Sequence, residues 1–355
     1  MLTRRHLLLA GAALPFAARA AVEYPAVTPR PLVFPRDHGA HPDYRIEWWY
    51  LTGWLDAQPP LGFQVTFFRM RTPIDPANPS RFAARELVIA HAAIADAARG
   101  ALLHDQRIAR AGFGVARTGE DDTDVELDRW TLRRRADGVY ESAVRARGFA
   151  LRFTARPTQP LLLQGEGGFS RKGPKPEQAS YYYSQPQLRV DAELTRDGRT
   201  SRAGGSAWLD HEWSSTLLDP EAAGWDWIGM NLDDGSALTA FQIRRKDAGP
   251  RIYAYAALRA AGRTHAQLFA PDEVRFEPLA RWTSPRTRAT YPVAQRIAVG
   301  ARAFETRPLL DDQELDSRAS AGAVYWEGAS TLLESGRAVG RGYLEMTGYA
   351  APMRL

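Results

Sequence analysis

The chain has 355 residues, 45% of them hydrophobic and none of them cysteine. That permits ordinary cores and excludes disulfides and thiolate metal sites. The formal charge of +5 includes Arg4, Arg5 and Arg19 near the amino terminus; without them acids and bases nearly balance and are interspersed, which argues against a nucleic-acid surface.

The first element is a leader. Thr3-Arg4-Arg5-His6-Leu7-Leu8, an apolar stretch to Ala18 and the string Ala18-Arg19-Ala20 follow the charged, apolar, small-residue order of an export signal. The paired arginines point to the twin-arginine route. Residues 1–20 are therefore expected to be removed, leaving a soluble protein in the periplasm or outside the cell. The apolar stretch falls short of the ~20 residues that span a bilayer, and no later segment is long and uncharged enough.

Alternation with period 2 then recurs along the chain. Phe63, Val65 and Phe67 interleave with polar residues, as do Phe149, Leu151 and Phe153, then Leu188, Val190, Ala192 and Leu194, then Ala237, Thr239, Phe241 and Ile243, and finally Tyr343 to Tyr349. Asp137-Gly138, Asp197-Gly198 and Asp234-Gly235 lie between such segments, where a tight hairpin needs residues tolerant of positive φ. Helical stripes are confined to short pieces near Asp219-Pro220-Glu221 and Asp272-Glu273. The pattern predicts an all-β fold of barrels or sandwiches. The stretch from Gly165 to Gln178, rich in Gly, Lys and Pro, reads as an exposed loop that could cover a cavity mouth. A domain junction is placed after the 208–214 motif, giving domains 21–215 and 216–355.

Seven of the ten tryptophans fall in two windows, Trp48, Trp49 and Trp54, then Trp208, Trp213, Trp225 and Trp227. Around them stand Tyr181-Tyr182-Tyr183 and the polar residues Glu47, Asp210, His211, Glu212 and Asp226. Either the rings line a cavity holding a few acids, or they plug two barrels while the acids accept bonds from indole and arginine donors. On a regular strand, Trp208, Asp210 and Glu212 share one face and Leu209, His211 and Trp213 the other, so His211 and Trp213 act together.

Other chemistries find little footing. No Gly-x-Ser-x-Gly elbow supports a serine hydrolase. His38 and His41 have His-x-x-His spacing, but an extended segment would splay the rings, and they read as surface or hydrogen-bonded histidines rather than ligands. The glycines from Gly165 to Gly173 lack the Gly-Lys-Ser/Thr ending of a phosphate loop. A sugar-binding module remains open, distinguished by whether the tryptophans face solvent or a cavity.

Four motifs carry a resemblance. The segment His41-Pro42-Asp43-Tyr44-Arg45-Ile46-Glu47-Trp48-Trp49-Tyr50-Leu51-Thr52-Gly53, the run Tyr181-Tyr182-Tyr183-Ser184, Trp208-Leu209-Asp210-His211-Glu212-Trp213 and Gly224-Trp225-Asp226-Trp227-Ile228 resemble the AttH-type family, which includes the carotenoid 1,2-hydratases. The resemblance implies two lipocalin-like β-barrel domains packed together. It also implies an aromatic-lined site for a hydrophobic isoprenoid or lipid, and hydration of an isolated double bond with no metal or organic cofactor. By the same resemblance His211, Asp226 and Glu47 are the acid/base candidates, and Trp213, Tyr182, Trp49, Trp208 and Trp227 the substrate-binding ones. The alternative is a non-catalytic carrier of a lipophilic molecule, or an accessory protein of an ABC transporter.

Overall fold

In the computed structural model the described residues are 22–216 and 218–353. The leader expected at residues 1–20 lies outside them. Among the described residues no helix is long and apolar enough to cross a membrane. Two 3-10 turns, Arg36–His38 and Pro271–Glu273, are the helical elements found. The second is one of the two short pieces expected. The other, at Asp219 to Glu221, is instead a turn in which the Asp219 carboxylate accepts from the Glu221 N–H at 2.8 Å, the usual competition of a short acid with helix.

Thirteen strands build the first sheet: β1 (Ile46–Leu55), β2 (Leu61–Arg71), β3 (Glu86–Asp96), β4 (Ala101–Arg110), β5 (Ala116–Thr118), β6 (Asp124–Leu127), β7 (Trp130–Arg134), β8 (Tyr140–Ala146), β9 (Phe149–Pro157), β10 (Leu162–Leu163), β11 (Phe169–Arg171), β12 (Ala179–Arg196) and β13 (Arg199–Ser214). Their order is β4-β3-β2-β1-β13-β12-β9-β8-β7-β6-β5, with β10 and β11 also pairing with β12. The sheet curls into a nearly closed barrel. Ten further strands build the second: β14 (Ala222–Leu232), β15 (Ala237–Arg245), β16 (Tyr253–Arg259), β17 (Gln267–Phe269), β18 (Val274–Thr283), β19 (Thr290–Val299), β20 (Arg302–Pro308), β21 (Glu314–Asp316), β22 (Val324–Glu334) and β23 (Arg337–Thr347). Ordered β17-β16-β15-β14-β23-β22-β20-β19-β18, they curl through a half-barrel.

The expected hairpins form where Asp-Gly pairs supply positive φ, as at Asp197 (+51°) and Gly198 (+71°) between β12 and β13, and at Gly235 (+87°) between β14 and β15. Period-2 strands then present alternate residues to two environments. Along β1, Trp49 and Leu51 enter the core of the first barrel, with Phe63, Leu151 and Trp213. Tyr50 and Trp54 face outward, but not to solvent. With Trp208, Trp227, Phe241, Ala329 and Tyr343 they form a separate apolar cluster between the sheets. The strand β1, most of β2 and the later half of β13, residues 207–214, are thus buried on both faces. A Cβ at Gly229 would run into the indoles of Trp227 and Trp208, so that glycine lets the two rings meet there.

Candidate functional site

The aromatic windows split between two places, and the split follows strand alternation. Inside the first barrel, Glu47 is fully buried and makes four bonds. Its Oε1 accepts from His41 Nδ1 (2.7 Å) and His211 Nε2 (2.8 Å), and its Oε2 from Arg69 Nε (2.9 Å) and the His41 N–H (2.8 Å). His41 Nε2 reaches Asp37 at 3.0 Å, and Asp37 accepts from Arg30 at 2.8 Å. The His41 ring stacks on Trp213 at 3.7 Å, and His211 stacks on Trp49 at 4.7 Å. Burial opposes the charge of His41, but Glu47 and Asp37 outweigh it and raise its pKa. His211, more completely enclosed, is lowered by burial despite Glu47. Burial would raise Glu47, yet His41, His211 and Arg69 hold it well below the ordinary carboxylate range.

This group is also where three metal-ligand atoms lie together, those of His41, Glu47 and His211 being within 4.8 Å of one another. A cation there would displace both His–Glu hydrogen bonds and sit beside the Arg69 guanidinium. The donor set is better satisfied as a hydrogen-bonded, charge-balanced plug.

The second place is a cavity between the sheets, enclosing about 150 Å³. One wall is a pair of cross-strand rows on the first sheet. Tyr50 lies between Asp210 and Thr66, with His91 beyond, and Trp48 lies between Glu212 and Phe68, with Tyr182 beyond Glu212. The facing wall is a row on the second sheet in which Glu327, Glu345, Trp227 and Phe241 are successive register partners across β22, β23, β14 and β15. Trp225, Ile243, Tyr325, Ile46, Ile89 and Met70 complete much of the lining.

Four carboxyls enter this aromatic space. Asp210 accepts from Tyr182 Oη, Ser184 Oγ and Trp208 Nε1, each at 2.6 Å. Burial nevertheless dominates those donors, and with Glu212 nearby pushes its pKa up to about 7. Glu345 accepts from Trp225 Nε1 at 3.1 Å, and burial, helped by the charges of Asp210 and Glu212, pushes it up to about 7. Burial and then Glu345 directly opposite raise Glu327 well above its usual value. Glu212 pairs with Lys172 Nζ at 3.0 Å. That ammonium also lies 4.5 Å from the centre of the Tyr182 ring and 4.3 Å from that of Phe241, and burial, partly offset by Glu212, lowers its pKa.

The stretch from Gly165 to Gln178 is therefore not simply an exposed loop. It contains β11, and it buries Lys172 at 5% exposure as part of the cavity wall. A long aliphatic stem and an acid partner explain how a lysine in a Gly- and Pro-rich string comes to be enclosed.

Of the residues singled out from sequence, Tyr182 and Trp227 line the cavity, joined by a 3.1 Å bond from Trp227 Nε1 to Tyr182 Oη, and Trp208 backs it through Asp210. Trp213, Trp49 and His211 lie in the barrel interior on the opposite face of their strands, with the His211 and Trp213 rings 4.9 Å apart. Glu47 borders the cavity from β1, but its carboxylate is spent on the interior network. Asp226 lies on the other face of β14 from Trp225 and Trp227. There it accepts from Gln242, Arg244 and Tyr349. The structure thus brings His211 and Glu47 together and holds Asp226 apart from both. Glu327, Glu345, Lys172 and Tyr50 were not singled out as site residues. Their signal was weak: the acids fall in the unremarkable carboxyl-terminal strands and the lysine in an apparent loop.

The chain belongs to the AttH-like family, whose profile matches residues 25–349. A candidate AttH from Nitrosomonas europaea, solved as a crystal structure, is 56% identical, with a TM-score of 0.86 over 92% of this chain and 100% of that one. Kievitone hydratase from Nectria haematococca shares the fold at 14% identity, with a TM-score of 0.67 over 93% of this chain and 96% of its own. No protein of curated function matches the sequence.

Proposed function

We propose that the protein admits an apolar, unsaturated end group, such as that of an isoprenoid, to the cavity between the sheets and adds water across its carbon–carbon double bond. The observation that carries this reading is the pair of cavity carboxyls, Asp210 and Glu345, both pushed up to about 7. Two interacting groups that titrate together near neutrality supply an acid and a base at once. The fold shared with a protein named as a hydratase is consistent with it. A cavity of about 150 Å³ takes a group of roughly benzene size, so a long substrate enters by one end.

In the reaction, Asp210 once protonated reverses the bond that it accepts from Tyr182 and donates to the phenol oxygen, which frees the phenol proton. The phenol proton adds to the less substituted alkene carbon, the π bond breaks, and Tyr182 recovers a proton from Asp210. Positive charge develops on the other carbon, between the faces of Trp227, Trp225 and Trp48, each worth about 2 kcal/mol when desolvated. A water oxygen closes on that carbon and loses its extra proton to ionised Glu345. Glu47 and His211 support the wall from behind, and Asp226 anchors the second sheet. Acid and base that both titrate at about 7 give a narrow bell-shaped rate profile centred near neutrality.

The test is incubation with a trisubstituted alkene in ¹⁸O-water. Labelled tertiary alcohol is expected from the wild type and not from Asp210→Asn or Glu345→Gln. A second reading, a lipophilic carrier that hands cargo to a transporter, is favoured by the apolar lining from Ile46, Phe68, Met70, Ile89, Phe241 and Ile243. Tight binding of a saturated lipid with no labelled alcohol from any alkene selects it over the enzyme. We expect either activity outside the cytoplasm, where a twin-arginine leader at residues 1–20 would direct the chain.

A further inference from the structure

Beside the cavity, which Tyr50 and Glu327 line, the buried Thr52 Oγ1 and Gln64 Oε1 have no hydrogen-bond partner among the described residues, and Tyr50 Oη and Glu327 Oε1 interact with each other but with no further one. None of their residues is more than 6% exposed. They are neighbours by construction. Tyr50 and Thr52 share a face of β1, and Thr52 is the register partner of Gln64 on β2. Gln64 Nε2 donates to Glu327 Oε2 at 2.6 Å and to Thr66 Oγ1 at 3.0 Å. These two bonds fix the amide so that its oxygen is the atom left over. After burial itself, Glu327 is the largest influence on the Tyr50 hydroxyl.

Polar groups in a protein interior are nearly all paired, and those around this corner are. His91 Nδ1 and the Tyr325 hydroxyl lie 2.7 Å apart, and Asp210 holds three donors. The leftover atoms are a phenol, an amide oxygen and a carboxyl oxygen at the end of an otherwise aromatic space. That set both donates to and accepts from a single hydroxyl-type oxygen.

We propose that the corner formed by Tyr50, Gln64 and Glu327 seats the oxygen exchanged in the reaction: the attacking water before addition and the new tertiary hydroxyl after it. This rests on the hydration reading. The oxygen donates to Gln64 Oε1 and accepts a hydrogen bond from the Tyr50 hydroxyl, which leaves its second lone pair for the cationic carbon. Glu327 keeps its proton, since burial and Glu345 disfavour its charge. It donates that proton to the Tyr50 oxygen rather than to the exchanged oxygen, and the proton released as the C–O bond forms goes to Glu345. Tyr50 and Gln64 are positioning residues in this scheme.

The experiment compares affinity for a matched pair, 2-methyl-2-heptene and 2-methyl-2-heptanol, by quenching of tryptophan fluorescence in the full chain, with turnover of the alkene measured in parallel. The wild type is expected to prefer the alcohol by about tenfold, the worth of one well-made hydrogen bond. Gln64→Leu and Tyr50→Phe are each expected to erase most of that preference, read as the ratio of alcohol to alkene affinity within each variant. Tyr50→Phe keeps the ring and its contact with Trp227, so the variant should remain folded, which keeps the test open if Gln64→Leu folds poorly. An alcohol preference absent from the wild type, or unchanged in Tyr50→Phe, overturns the assignment. A wild type that prefers the alcohol but never hydrates the alkene leaves the hydroxyl seat standing and removes the hydratase. Turnover with no alcohol preference does the reverse.

Discussion

Replacing Asp210 with Asn should change how stability depends on pH, and by a predictable amount. In the unfolded chain this carboxyl titrates near 3.8, and in the folded protein at about 7, so ionising it inside the fold costs about 4 kcal/mol more than ionising it in water. Between those values the unfolded state gives up its proton while the folded state keeps it. Wild-type stability therefore falls as pH rises from about 4 to 7, and levels off above. Asparagine carries no such proton. It disturbs the bonds from Tyr182, Ser184 and Trp208, but that offset is independent of pH. The difference between the two proteins should thus shift by about 3 kcal/mol in favour of the variant from pH 4.5 to pH 8.5. Removing the charge also lets Glu345 fall, so the measured shift belongs to the coupled pair. His41 slopes the same way: its folded value is raised, so its stabilisation is full below about 6.5 and lost as pH climbs through that raised value. It is common to both proteins and cancels. Urea unfolding followed by tryptophan fluorescence across that range measures the difference directly. A difference constant with pH would refute the account of Asp210 as a carboxyl dominated by burial.

Other outcomes follow from the same contacts. Glu47→Gln strips the charge that Arg69 and His41 face in the barrel interior, and should cost about 3–5 kcal/mol, read from denaturant midpoints. Lys172→Met leaves Glu212 buried and unpaired and should destabilise the fold, whereas Lys172→Met with Glu212→Leu should recover most of the loss. A double-mutant cycle checks this, and additive losses would contradict it. Trp227→Ala should weaken alkene binding at least tenfold by opening the wall between Tyr50 and Tyr182, measured by titration. If residues 1–20 act as an export signal, the chain should be recovered outside the cytoplasm beginning at Ala21, which fractionation with N-terminal sequencing reads directly.

The all-β fold was legible because alternation and Asp-Gly turns are local signals, and β13 behaved as a regular strand, with His211 and Trp213 on one face and Asp210 and Glu212 on the other. What alternation leaves open is what each face meets. Both faces of the 208–213 segment carry large rings, a sign that the strand is covered on two sides, but not of which side holds a cavity. The partners of Asp210 across that space, Glu327 and Glu345, sit more than a hundred residues downstream, and only the register of β22 against β23 sets them opposite each other. The second sheet also departs from a full barrel. It curls through half of one around its own core, and the aromatic row on the other face of β14, β15 and β23 packs against the first sheet.

The two walls of the cavity come from opposite sides of the connection at residues 215–221, with Tyr50, Tyr182 and Asp210 before it and Trp227, Glu327 and Glu345 after it. Neither half encodes a site by itself. A gene split at that connection would yield one fragment displaying Tyr50, Trp54 and Trp208 and another displaying Trp227, Phe241 and Tyr343. Both would be sticky and unable to act alone. Descent should therefore favour keeping the halves in one reading frame, and drift in the residues of one wall should be answered by drift in the other.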